Sequence, residues 1–149
     1  MTPANIDRKV VTQRAAWIRE MMRALGDLPL KNKGKFLQSR HNIAAAESYL
    51  RRSLEALFDI GRHILAKSFA FPATEYKEIA RGLQDKKILD EEEAELMRKM
   101  AGYRNRMIHF YREVPPEELK EIVSHHLNDL DRFIKETATF LKAYEASKK

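Results

Sequence analysis

The sequence predicts an all-α chain folded as an antiparallel up-and-down bundle of about five helices, and three observations carry that prediction. The composition is helix-forming: Ala, Leu, Glu, Lys, Arg and Met dominate, β-branched residues are few, and glycine and proline number only five each. Apolar residues recur at three-to-four spacing through every long segment, and no strand pair, repeat or low-complexity stretch interrupts them. Stop and start signals lie close together, so successive helices turn back on one another through short loops. With 149 residues the chain suits a single domain over 1–149, frayed at 1–5 and 146–149.

The first helix spans Ile6 to Leu25, with Val10, Ala16 or Trp17, Met21 and Leu25 near one face and Gly26 as its stop. Asp27 to Lys35, with Pro29, Asn32, Gly34 and three lysines, is expected to be a solvated loop. The longest periodic stretch starts at Phe36 or Ser39 and runs to about Ser68. Ile43, Ala46, Leu50, Leu54, Leu57, Gly61, Ile64 and Leu65 keep one face apolar, which makes this the central helix. Gly61 on that face costs about 1 kcal/mol in helix propensity, so it predicts the close approach of another helix. Arg51, Arg52, Glu55, Asp59 and Arg62 occupy the outer face, and Asp59 is placed to anchor a stray arginine.

Thr74 is the expected cap of a short helix from Glu75 to Gln84, buried through Tyr76, Ile79, Ala80 and Leu83. Asp90 followed by Glu93 reads as a capping box with an acidic first turn. The helix it opens continues through Met97 and Met100 until Pro115-Pro116 stops it. A last helix follows Glu117-Glu118 and carries Leu119, Ile122, Val123, Leu127, Leu130, Ile134, Ala138 and Leu141.

Without cysteine there is no disulfide framework, thiolate metal site or cysteine nucleophile. With no apolar leader at the start and no run long enough for a membrane span, a cytoplasmic location is expected. A formal charge of +6 favours an anionic partner, although 28 basic against 22 acidic residues mostly describes a mixed surface. No phosphate-binding glycine loop, His-Glu-x-x-His or helix-turn-helix pattern is present. His125 and His126 are about 100° apart on a helix and share no metal face, and His41 and His63 are expected on helix surfaces. No cofactor or metal is expected.

One stretch breaks the pattern. On a helix advancing about 100° per residue, Met97, Met100, Met107, Ile108 and Tyr111 fall within roughly 60° of Arg104. A guanidinium that cannot lose its proton thus sits in an apolar stripe, where it must be paired or must serve a surface completed by a ligand or partner. His109 lies about 140° round, near Asn105 and Arg112. By spacing alone, two readings stand: a buried salt bridge with a surface histidine, or a candidate site of Arg104, Asn105, His109 and Tyr111.

The run Arg104-Asn105-x-x-x-His109-x-Tyr111 resembles the Arg-x4-6-His signature of the HEPN superfamily, in the Arg-x4-His-x-Tyr form of HepT toxins paired with a nucleotidyltransferase. Glu47 to Leu65, with Asp59-Ile60-Gly61-Arg62-His63, resembles the second helix of that family, and the order of helices matches over essentially the whole chain. The resemblance implies an endoribonuclease toxin of a type VII-like toxin–antitoxin system, independent of metal and active as a homodimer whose two motifs face one cleft. Arg104 and His109 would be catalytic and Asn105 supporting. Tyr111 would be the residue to which the partner nucleotidyltransferase antitoxin attaches AMP. The expected products are a 2′,3′-cyclic phosphate and a 5′-hydroxyl. The alternative is a catalytically silent HEPN module that binds a nucleotidyltransferase or a nucleotide. On one regular helix Arg104 and His109 are too far apart in angle to share a phosphate, so either a dimer cleft or a local unwinding before His109 is expected.

Overall fold

A computed structural model describes residues 6–109 and 114–147. The described residues form seven helices and no strand: α1 (Arg8–Gly26), α2 (Lys33–Leu37), α3 (Arg40–Phe69), α4 (Tyr76–Asp85), α5 (Glu91–Met107), α6 (Pro116–His125) and α7 (Leu127–Ser147). The predicted up-and-down bundle is present, with α3 at its centre and α1, α4, α5, α6 and α7 packed around it. Cross-links set the directions. Asp7 meets His63 and Arg14 meets Asp59, so α1 runs antiparallel to α3. Arg8 meets Glu145 and Arg19 meets Asp131, so α7 runs antiparallel to α1.

Side-chain caps open most of the helices, and the Asp90–Glu93 box is the one the sequence announces. Asp7 Oδ1 accepts the Lys9 N–H and Ser39 Oγ accepts the Asn42 N–H. Asp90 and Glu93 cap each other reciprocally, at 2.8 and 3.0 Å. Gly61 permits the close approach foreseen for it: a Cβ there would stand 2.7 Å from Ile79 Cγ2. Gly82 on α4 returns the arrangement, since a Cβ there would stand 2.8 Å from Leu65 Cδ1. The two helices therefore interlock backbone to side chain at both glycines.

Five details correct the expectation. The 27–35 loop runs into a short helix, α2, because Asn32 Oδ1 accepts the Lys35 N–H at 3.0 Å and Phe36 is fully buried. Glu75, rather than Thr74, occupies the cap position of α4, where its N–H donates to Glu78 Oε1 at 3.4 Å. The last predicted helix is two. His126 leaves helical geometry at φ −115° and ψ 4°, and its carbonyl and Nδ1 meet the Asp129 N–H and carboxylate, both at 3.2 Å. Asn128 and Asp129 suit the start of a new helix better than the middle of an old one. At the far end α7 continues to Ser147, so residues 146 and 147 are helical rather than frayed; Ser147 Oγ donates to the Tyr144 carbonyl at 2.7 Å. Finally, α5 ends at Met107, well ahead of Pro115-Pro116. Ile108, the next residue, is 44% exposed and adds no burial to hold a further turn.

No helix among the described residues is long and apolar enough to cross a membrane.

Candidate functional site

Arg104 lies one turn before the end of α5, on the face that buries Met97 and Met100. Its side chain is only 23% exposed. The guanidinium rests over the Tyr76 ring, 4.6 Å from its centroid, and that ring is itself stacked on Phe58 at 4.4 Å. Nη1 donates to Asn105 Oδ1 at 3.4 Å, and Nη2 stands 3.9 Å from Glu55 Oε2. The second distance is too long for a hydrogen bond, so Glu55 neutralises the charge without satisfying the donor. Nε of Arg104 is buried and has no hydrogen-bond partner among the described residues. A cation is thus held by a ring face and a distant carboxylate, with donor capacity to spare.

Asp59, the anchor suggested by spacing, serves other arginines: Arg14 at 3.6 Å and Arg62 at 3.3 Å. Glu55, one turn earlier on α3, takes its place, because α5 crosses α3 antiparallel and brings Arg104 to the turn of Glu55 rather than to that of Asp59. Glu55 also accepts from Arg51 at 2.7 Å. Sequence reasoning missed both Glu55 and Tyr76 as companions of Arg104. Nothing local could reveal them, since Tyr76 reads only as an apolar position of α4. Burial raises the pKa of its phenol, with the Arg104 charge opposing, so the ring under the guanidinium stays neutral.

His109 is exposed and lies just beyond the helix, where its N–H donates to the Arg106 carbonyl at 3.3 Å. It therefore leaves the cylinder on which a continuous helix would hold it at about 140° from Arg104. The local unwinding that the angular mismatch called for is found before His109. Asn105 turns to Arg104. Tyr111 lies outside the described residues. Arg106 fastens the end of α5 to the first turn of α6 by a bidentate pair with Glu118, Nη2 to Oε2 at 2.8 Å. This hydrogen bond holds the Glu118 carboxyl below its ordinary pKa range and raises that of Arg106.

Of the remaining histidines, His41 is exposed on α3, and the other three have partners. His125 faces Glu121 and His126 faces Asp129. His63 does more than decorate a surface: its Nε2 accepts the Asp7 N–H at 3.0 Å and ties the start of α1 to α3. Among the described residues no group of three or more His, Asp or Glu side chains is arranged to hold a metal ion.

The helical bundle has the fold of solved HEPN toxins. The fold matches the tri-AMPylated HEPN toxin of Shewanella oneidensis, solved in complex with its MNT antitoxin, with a TM-score of 0.83 at 21% identity over 89% of this chain and 99% of that one. It also matches YutE, a cytosolic protein of unknown function from Bacillus subtilis, with a TM-score of 0.80 at 18% identity over 94% of each chain. The chain belongs to the ribonuclease HepT-like family, whose model covers residues 18–137. Among curated proteins it is 28% identical over 85 residues to the mRNA nuclease HepT of S. oneidensis, a stretch that spans 57% of this chain and 64% of that relative.

Proposed function

We propose that this protein is an endoribonuclease toxin that cleaves RNA through the substrate's own 2′-hydroxyl, without a metal ion. The observation that carries the proposal is Arg104, a three-quarters-buried cation whose Nε has no partner among the described residues and whose nearest carboxylate stands 3.9 Å away. A planar donor fork left in this state has the geometry to take two oxygens of a phosphate. In the proposed reaction the 2′-oxygen bonds to phosphorus as the bond to the 5′-oxygen breaks. One proton leaves the 2′-hydroxyl and one reaches the departing 5′-oxygen, which yields the 2′,3′-cyclic phosphate and the 5′-hydroxyl. His109 moves protons at this site, an imidazole being able both to accept and to donate one. Arg104 stabilises the charge that builds on phosphorus, and Asn105 steadies the guanidinium by accepting from Nη1.

The protein acts as a homodimer within one domain over 1–149, with the second subunit placing its own Arg104 and His109 across the cleft. Its partner is a nucleotidyltransferase antitoxin of the kind found with the S. oneidensis toxin. That enzyme adds AMP to Tyr111: the phenol oxygen bonds to the α-phosphorus of ATP, the phenolic proton is lost and pyrophosphate departs. The added phosphate charge and adenine then block the cationic site by occupancy and repulsion.

The test is cleavage of labelled RNA by the purified protein in excess EDTA. Cleavage that survives chelation, needs the 2′-hydroxyl and is lost in folded His109→Ala supports the proposal. If His109→Ala cleaves as fast as the parent, the assignment is wrong. Binding without cleavage by the parent points to a silent binding module.

A further inference from the structure

The face of α3 that carries Glu55 also borders an open groove against α1. The groove has a volume of about 360 Å³ and is lined by Trp17 and Arg14 from α1 and by Arg51, Arg52, Glu55 and Asp59 from α3. That volume lies at the low end of ligand sites, about 300–1,000 Å³, and suits a single nucleotide. Trp17, the one tryptophan of the chain, is 40% exposed here, whereas Val11, Ile18, Met21 and Leu25 of the same helix are buried. Arg14 stands one turn before it on the same helix face. Trp17 and Ile108, the residue beside His109, are the two large apolar side chains left exposed among the described residues.

Charge gives the groove its direction. Glu55 accepts from Arg51 and faces Arg104, while Asp59 is shared by Arg14 and Arg62. Of the groove's own lining, three guanidinia, those of Arg14, Arg51 and Arg52, face two carboxylates, Glu55 and Asp59, and the excess is positive. Glu55 is the hinge of this arrangement, for its two oxygens face the groove arginine on one side and Arg104 on the other. Glu55 therefore links the groove to the candidate site by charge.

We propose that the α1–α3 groove docks an unpaired nucleotide of an RNA strand, its base stacked on Trp17 and its flanking phosphates held by Arg14, Arg51 and Arg52. An indole face surrounded by guanidinia is the combination that binds single-stranded nucleic acid, stacking being indifferent to base identity and arginines tracking the backbone. A base in a duplex has no free face to offer, so the groove selects unpaired RNA. This inference takes from the proposed function only that the ligand is RNA; it needs no cleavage.

Because Trp17 is alone, its fluorescence reports the groove directly. The full-length protein is titrated with a short, mixed-sequence, 2′-O-methylated single strand, which cannot be cleaved, and binding is followed in parallel by anisotropy of a labelled copy. Quenching of Trp17 with the same midpoint as the anisotropy is expected. Trp17→Ala should weaken binding about five- to a hundred-fold and Trp17→Phe much less, as loss and retention of one stacked base require. Arg52→Ala should shallow the salt dependence, lowering the slope of log K against log salt by about 0.7.

Anisotropy that rises without any change in Trp17 emission overturns the proposal, as does equal quenching by a duplex of the same sequence. A change in emission that follows protein concentration or added antitoxin and ignores RNA assigns the groove to a protein interface instead. A parent that cannot cleave yet shows the quenching keeps the groove and loses the nuclease. A parent that cleaves, with binding untouched by Trp17→Ala, does the reverse.

Discussion

The two ends of α5 each bury a charge, and they treat it in opposite ways. At the first turn Glu93 is 4% exposed, yet both of its oxygens are used: one accepts the Asp90 N–H at 3.0 Å and the other accepts from Arg132 Nε at 3.2 Å. Asp90 and Glu92 add their charges around Arg132. At the last turn Arg104 has a ring face, a weak bond to its neighbour and a carboxylate at 3.9 Å, while its Nε has no partner among the described residues. A buried polar group that is fully bonded serves the fold, and one left short costs about 1–3 kcal/mol that something else must justify. The same helix thus separates stability at one end from readiness for a ligand at the other.

Exchanging each charge for an apolar or truncated side chain makes the contrast measurable. Arg104→Met should lower the RNA-cleavage rate by about a hundred-fold or more, the scale of losing one transition-state charge partner. Its melting temperature should stay level or rise, since the substitution removes an unsatisfied donor. A fall of several degrees would show that Arg104 is structural after all. Glu93→Ala should do the opposite: a loss of about 1–3 kcal/mol in chemical denaturation, with the cleavage rate per folded molecule unchanged. If Glu93→Ala lowers that rate as much as Arg104→Met does, the division of labour along α5 fails.

A smaller effect concerns pH. His63 pairs with the start of α1, and burial depresses its pKa below 6.5, with Asp7 opposing and Lys67 and Arg14 reinforcing. Just below pH 6.5 the folded state therefore binds fewer protons than the unfolded chain, so this contribution to stability is full above that pH and fades as pH falls through it. Protonation also removes Nε2 as the acceptor for the Asp7 N–H. In thermal melts at about pH 7.5 and 5.5, His63→Asn should narrow the gap in melting temperature relative to the parent. An equal gap in the variant would remove His63 from the account.

Much of this was legible in the residues. Periodicity placed α1, α3, α4 and α5, Asp90 and Glu93 announced their cap, Gly61 announced a close contact, and Arg104 stood out because its charge violated an apolar stripe. What stayed hidden depends on partners far apart in the chain. Spacing favoured Asp59 over Glu55 as the anchor because it carries no information on where α5 crosses α3. Tyr76 looked like any half-buried tyrosine until the fold slid it beneath a guanidinium. The end of α5 at Met107 was invisible because the apolar stripe runs on in the sequence, although Ile108 is exposed in the structure.

The glycine interlock between α3 and α4 has a consequence for how the protein can tolerate change. Tyr76 opens α4, and the position of α4 is set where Gly61 admits Ile79 and Leu83 and where Gly82 admits Leu65. A methyl group at Gly61 would meet Ile79 at 2.7 Å and lift α4 from α3, at a cost of about 1–3 kcal/mol. The aromatic floor under Arg104 would move with it. Two positions that bear no functional group are therefore part of the inheritance of the site, and drift at either one reaches the arginine through a displaced ring.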